Sequence, residues 1–190
     1  LNFYDGADLN LSILSTSIFF PILLFLNLND FSYNLIIFTI IFILTFSIYN
    51  FFPKNLYFGD SGCFVISCFI LILITEIEKT EPNFLLMTAG LYFPIIDVVF
   101  VIIKRLFSGE NLFTRNHYHI YQIFKNNIGG FYYLLILPIN SIIIISLIYF
   151  MIDYNINIFQ QLLILFLSSL ILYLILKIFL FNFTEKTSGS

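Results

Sequence analysis

Three polar stretches in an otherwise apolar chain carry residue types that chemistry can use. The first, NFYDGAD at residues 2–8, sets Asp5 and Asp8 three apart around Gly6, with Asn2 ahead of them and a long apolar run behind. The second, NLYFGDSG at residues 55–62, places Asp60 and Ser61 between two glycines where the next apolar run begins. The third, KRLFSGENLFTRNHYHIYQIF at residues 104–124, gathers Arg105, Arg115, His117 and His119 in one loop. Each has a plain structural reading: an Asp-Gly turn with a helix cap, a capped helix start, and solvated or interfacial histidines. NFYDGAD also lacks the ligand repeat of a calcium-binding EF-hand loop. Taken together, the three stretches admit a chemical reading as well. The unpaired N–H groups and the dipole at a helix N-terminus favour phosphate, so an aspartate at the same place calls for a divalent cation between the two. Mg²⁺ is commonly held by one or two carboxylates, with phosphate oxygens and water completing its shell. Arginines fork onto phosphate. The constellation therefore suits magnesium-assisted chemistry on a diphosphate.

The elements that must position these residues are set by the solvent. With 60% hydrophobic and 10% charged residues and a mean hydropathy of +1.00, 190 residues cannot hide their apolar surface in one water-soluble core. The bilayer is the expected solvent, and residues 1–190 are expected to form a single integral membrane domain. Apolar runs at 12–28, 34–50, 63–75, 84–104, 132–152 and 159–181 give six candidate spans, with 63–75 the shortest. All six must be helices, since lipid offers the backbone no partners. The expected class is an all-α polytopic bundle, with kinks at Pro21, Pro94 and Pro138. Cys63 and Cys68 fall within an apolar run and read as small buried hydrophobes. A net charge of -3 without a basic block gives no support to a nucleic-acid partner.

Six spans sort the polar breaks into two sets. Lys54, Arg105, Arg115, Lys125 and Lys186 lie in the set 1–11, 51–62, 105–131 and 182–190. Lys104 and Lys177 stand at span ends facing it, and Lys79 alone is on the other side. That set, which holds all three polar stretches, is cytoplasmic by the positive-inside rule. Asp97 is the acidic residue deep inside a span, and such carboxylates mark function. Lys104 shares its helical face about 10 Å away at 1.5 Å per residue. The alternative is a polar group satisfied within the bundle near the kink expected at Pro94.

The order and spacing of these residues resemble one family, the polyprenyl-phosphate N-acetylhexosamine-1-phosphate transferases, which include the phospho-N-acetylmuramoyl-pentapeptide transferases. The family pattern Asn-x-x-Asp-Gly-x-Asp resembles Asn2, Asp5, Gly6 and Asp8. Its Asn-x-x-Pro and aromatic-Met-Gly-Asp-x-Gly-Ser resemble Asn50, Pro53, Tyr57, Phe58, Gly59, Asp60, Gly62 and Cys63. Its Pro-x-x-Asp, Arg and Gly and its histidine loop resemble Pro94, Asp97, Arg105, Gly109, Phe113 and His119. The resemblance implies transfer of a sugar-1-phosphate from a UDP-N-acetylhexosamine-type nucleotide to a polyprenyl (undecaprenyl) phosphate, with release of UMP, at the bacterial inner membrane. It implies Asp60 as ligand of Mg²⁺, or of Mn²⁺ in its place. Asn2, Asp5 and His119 would be catalytic. Gly6, Asp8, Asn50, Tyr57, Arg105, Tyr121 and Gln122 would bind substrate, with Tyr57 stacked on uracil. A homodimer is compatible with it.

The sequence departs from the pattern in three ways. Cys63 stands for Ser. His119-Ile120-Tyr121-Gln122 replaces His-x-His-His and resembles a branch associated with O-antigen and other surface glycans. The family's earlier paired aspartates and its first four or five helices have no counterpart, so the chain is expected to be the C-terminal part of a larger transferase and incomplete by itself. The rival readings are an inactive truncated membrane protein and a transporter subunit. A transporter would place several ionisable groups at mid-membrane, where only Asp97 is found.

Overall fold

The computed structural model describes residues 9–25, 28–52, 59–76, 85–86, 88–111, 118–154 and 156–188. Among them seven α-helices follow in order: α1 (Asn10–Phe25), α2 (Asp30–Phe51), α3 (Gly59–Glu76), α4 (Tyr92–Phe107), α5 (Ile120–Asn127), α6 (Ile136–Asp153) and α7 (Ile158–Ser188), with a 3₁₀ turn, Tyr132–Leu135, leading into α6. No strand occurs among the described residues, and the protein is an all-α membrane helix bundle. Three segments, Asp30–Phe51, Tyr132–Ile152 and Ile158–Phe181, are long and apolar enough to cross a bilayer. Asn10–Phe25 and Gly59–Leu73 are apolar but shorter, and α4 has 16 residues, about 24 Å of helix. Helices thus stand at all six expected positions, with half of them at full spanning length.

Packing runs as a chain of neighbours: α3 lies on α2, α2 on α1, α1 on α6, α6 on α7, and α7 on α4, while α5 packs on α7. Local sequence accounts for the ends. Asn29 caps α2 by accepting the Ser32 N–H at 2.7 Å, and Asp30 in the first turn complements the helix dipole. Ser32, Ile36, Thr39, Ile43 and Asn50 form the buried stripe of α2, while Phe38, Ile41, Leu44 and Ile48 are exposed, as suits a helix bordered by lipid. On α3, Cys63 is buried as expected, whereas Cys68 is exposed on the opposite side of the helix.

α1 is the most enclosed helix, and its Pro21 is inside the helix as expected. Proline has no N–H, so the carbonyl of Ser17 one turn earlier loses its helical donor. The Ser141 hydroxyl of α6 approaches that carbonyl at 3.5 Å, the kind of rescue by a neighbouring helix on which a membrane proline depends. Gly90 packs against the same turn: a Cβ there would lie 2.7 Å from Ile18 Cγ1 and 3.1 Å from the Ser17 oxygen. A second polar contact, Ser169 Oγ to Asn140 Oδ1 at 2.9 Å, joins α6 to α7 in the buried interior.

The prolines correct part of the sequence reading. Pro94 and Pro138 are the third residues of α4 and α6 and start helices instead of kinking them. The first four N–H groups of a helix have no internal partner, so a residue without one is accommodated there. For the same reason the expected 84–104 span is not one helix: Ala89, Gly90 and Leu91 form a turn, and α4 begins at Tyr92. α5 lies within what reads as a polar break, with Ile120, Tyr121 and Phe124 buried.

Candidate functional site

The site is built around Asp97, six residues into α4 and 0% exposed. Its Oδ2 lies 2.8 Å from His119 Nδ1, and its Oδ1 accepts the Ile120 N–H at 3.0 Å. A carboxylate oxygen accepts, so Nδ1 carries the hydrogen of the first contact and the lone pair of a neutral ring resides on Nε2. The second contact gives α5 its cap. His119 is the N-cap residue and makes no side-chain capping bond of its own, so the orphan Ile120 N–H is satisfied from another helix. One carboxylate therefore fixes both the ring and the helix that starts beside it. His119 is buried, and its ring stacks on Tyr121 with centroids 5.8 Å apart and planes 19° from parallel. Tyr121 and Gln122 are buried as well, and among the described residues no partner reaches Gln122 Oε1.

At the far end of α4, Gly109 adopts φ +67°, the left-handed conformation glycine tolerates, and the Glu110 N–H reaches back to the Arg105 carbonyl at 3.0 Å. Arg105 turns into this loop. Its Nη2 donates to the Asn111 carbonyl, and its Nε lies 3.7 Å from Glu110 Oε2. Glu110 also accepts the Tyr118 hydroxyl at 2.9 Å, which pushes that phenol above its ordinary pKa, through the hydrogen bond first and the negative charge second.

Asn50 and Asp60 flank residues 53–58. Asn50, buried at the end of α2, accepts the Leu9 N–H at 2.5 Å and so fixes the entry to α1 beside the exit from α2. Leu9 itself has φ +60°. Asp60 is exposed in the first turn of α3, behind Gly59 at φ +62°. Among the described residues no ion pair joins Asp60 to His119, and no three His, Cys, Asp or Glu side chains come together as a metal site.

Over 99 residues the chain is 29% identical to the undecaprenyl-phosphate alpha-N-acetylglucosaminyl 1-phosphate transferase of Thermotoga maritima. The chain is similar to that transferase. The shared stretch makes up 50% of this chain, which spans a third of the relative's length, 33%. No protein-family model matches the chain, and no solved structure matches it.

The structure brings some of the expected site residues together. His119 and Tyr121 meet, with Gln122 next in the same short helix, while Asn50 and Arg105 each hold a neighbouring loop. Asn2, Asp5, Gly6, Asp8, Tyr57, Arg115 and His117 lie outside the described residues. The partner of Asp97 is His119, not Lys104, which instead lies 3.7 Å from the centroid of the Tyr118 ring. Spacing along one helix suggests neighbours on that helix only, and this contact crosses 22 positions of sequence. Sequence reasoning does not single out Tyr118, and it reads Lys177 only as a mark of membrane orientation. The tyrosine is one of 12, and the lysine stands as a lone charge in an apolar run.

Proposed function

We propose that the complete gene product transfers an N-acetylhexosamine-1-phosphate from a UDP-sugar to undecaprenyl phosphate at the cytoplasmic face of the bacterial inner membrane, starting a surface glycan such as O-antigen. The observation that carries this reading is the buried Asp97–His119 contact, in a chain similar to a transferase of this kind. In the reaction, an oxygen of the lipid phosphate attacks the phosphorus bearing the sugar. The bond from that phosphorus to the bridging oxygen breaks, and UMP leaves with that oxygen.

His119 is assigned to the diphosphate. Asp97 holds its ring through Nδ1, which makes Nε2 the nitrogen that meets phosphate and gives any positive charge on the ring a carboxylate partner. Asp97 is thus a positioning residue. Asp60 suits Mg²⁺ or Mn²⁺ by its donor chemistry: a single exposed carboxylate at a helix N-terminus leaves the remaining coordination positions to phosphate oxygens and water. When bound, the ion would neutralise charge on the phosphates. Asn2 and Asp5 are assigned to the catalytic cleft, and Gly6, Asp8 and Tyr57 to the nucleotide side; Asn50 ties Leu9, the residue after Asp8, to the end of α2.

The test uses membranes containing the complete gene product, radiolabelled UDP-N-acetylhexosamines and undecaprenyl phosphate. Label should pass to the lipid as UMP appears, and Asp60→Asn should lower the rate on the order of 10²-fold. If no such nucleotide labels the lipid at saturating Mg²⁺ or Mn²⁺, the transferase reading is wrong.

A further inference from the structure

Residues of α4, α5 and α7 line a cleft of about 210 Å³. Lys104 of α4 and Lys177 of α7 both line it, with Tyr118 ahead of α5 and an apolar wall that includes Phe100, Ile123 and Leu180. Among the described residues neither lysine forms an ion pair. Each is placed by a ring instead: Lys104 Nζ is 3.7 Å from the Tyr118 centroid and Lys177 Nζ is 5.4 Å from that of Phe100. The nearby carboxylates are engaged, Glu110 with Arg105 and Tyr118 and Asp97 with His119 and Ile120. Two ammonium groups facing one cleft repel each other until an anion lies between them.

Depth along the helices identifies the anion. Lys104 is in the last turn of α4, and Lys177 lies four residues before Phe181, where the apolar part of α7 ends. Both cations thus stand where hydrocarbon gives way to headgroups, and exposed Ile103, Phe107, Ile178 and Phe181 mark the lipid-facing surface beside them. A soluble anion has no use for the apolar wall, whereas a phosphate carrying acyl chains uses both parts of the cleft. We propose that this cleft holds an anionic glycerophospholipid of the surrounding bilayer, its phosphate between Lys104 and Lys177 and its chains along Phe100, Ile123 and Leu180. Because Tyr118 and Ile120 line the cleft on either side of His119, the bound lipid braces the start of α5 against α4 and α7. The proposal needs no part of the transferase reading.

The protein is placed in phosphatidylcholine nanodiscs containing a minor fraction of phosphatidylglycerol, and the lipids it retains are measured by native mass spectrometry. Phosphatidylglycerol should be enriched about tenfold or more, the scale set by two lysines at a headgroup. The double variant Lys104→Gln, Lys177→Gln should lose the enrichment, and Lys104→Arg, Lys177→Arg should keep it. A photoactivatable phosphatidylglycerol should label Ile123 and Leu180 in the unmodified protein, a readout that does not depend on the variants folding. Unchanged enrichment in the glutamine variant, or label confined to other surfaces, overturns the proposal. So does displacement of the lipid by inorganic phosphate, which would make the site one for a free anion. Displacement by an equal amount of undecaprenyl phosphate would assign the cleft to that lipid and equally overturn it.

Discussion

Two of the buried polar contacts between helices among the described residues are built differently. Asn140 and Ser169 share one neutral hydrogen bond between α6 and α7, at 2.9 Å. Asp97 uses both carboxylate oxygens, one on a histidine and one on a backbone N–H, and is completely enclosed. In membranes a neutral interhelical bond contributes about 0.6 kcal/mol on average, because separated helices find other partners in lipid. A buried carboxylate costs several kcal/mol to desolvate and holds its place only when its partners are complete. The first contact is adhesive. The second costs more to bury than a neutral bond, and its two contacts fix the orientation of the His119 ring and the start of α5.

Removing the acceptor tests the contrast most severely. Asp97→Ala leaves the Nδ1–H of His119 and the Ile120 N–H buried without it, and should destabilise the protein by about 3–5 kcal/mol. Thermal unfolding in detergent measures this, and limited proteolysis should show residues 118–127 opening first. Asp97→Asn, which keeps the shape, should be milder in stability, and if the proposed function holds it should lower sugar-phosphate transfer by the complete gene product about 10- to 100-fold, the range for a group that orients a functional imidazole. A variant that kept normal transfer while unfolding early would reduce Asp97 to a helix cap.

Gly90→Ala ranks next. The added methyl meets Ile18 Cγ1 at 2.7 Å and the Ser17 oxygen at 3.1 Å, so α1 must shift, at about 1–3 kcal/mol. Ser141→Ala in the same background should add little, since a 3.5 Å contact is already at the limit of a hydrogen bond. A double-mutant cycle on melting temperatures separates the two. The smallest effect belongs to the neutral contact: replacing Asn140 by Leu together with Ser169 by Ala should change stability by less than about 1 kcal/mol. A loss as large as that of Asp97→Ala would erase the distinction.

The parts of this architecture that sequence makes legible are those governed by the solvent. Long apolar runs place α2, α6 and α7, because a bilayer tolerates helices and little else. The start of α4 is misread because Phe84, Leu85 and Leu86 continue the apolar run, although a proline is best accommodated in the first turn of a helix and Pro94 marks such a start. α5 is hidden among polar neighbours, although Ile120, Ile123 and Phe124 at helical spacing are its trace. The residues of the candidate site are recognisable by type and order. Their pairing is not, because whether Asp97 meets Lys104 or His119 is decided by how a loop folds back across 22 positions.

The capping of α5 by Asp97 also orders events during synthesis. Eight residues are too few to hold a helix in isolation, and this helix draws its support from α4, already made, and from α7, still to come. Residues 118–127 therefore have one of their two supports before α7 is made and both only after it. The histidine loop can thus close only after α7 has entered the membrane, and a chain stalled before α7 would leave residues 118–127 without the surface they pack on.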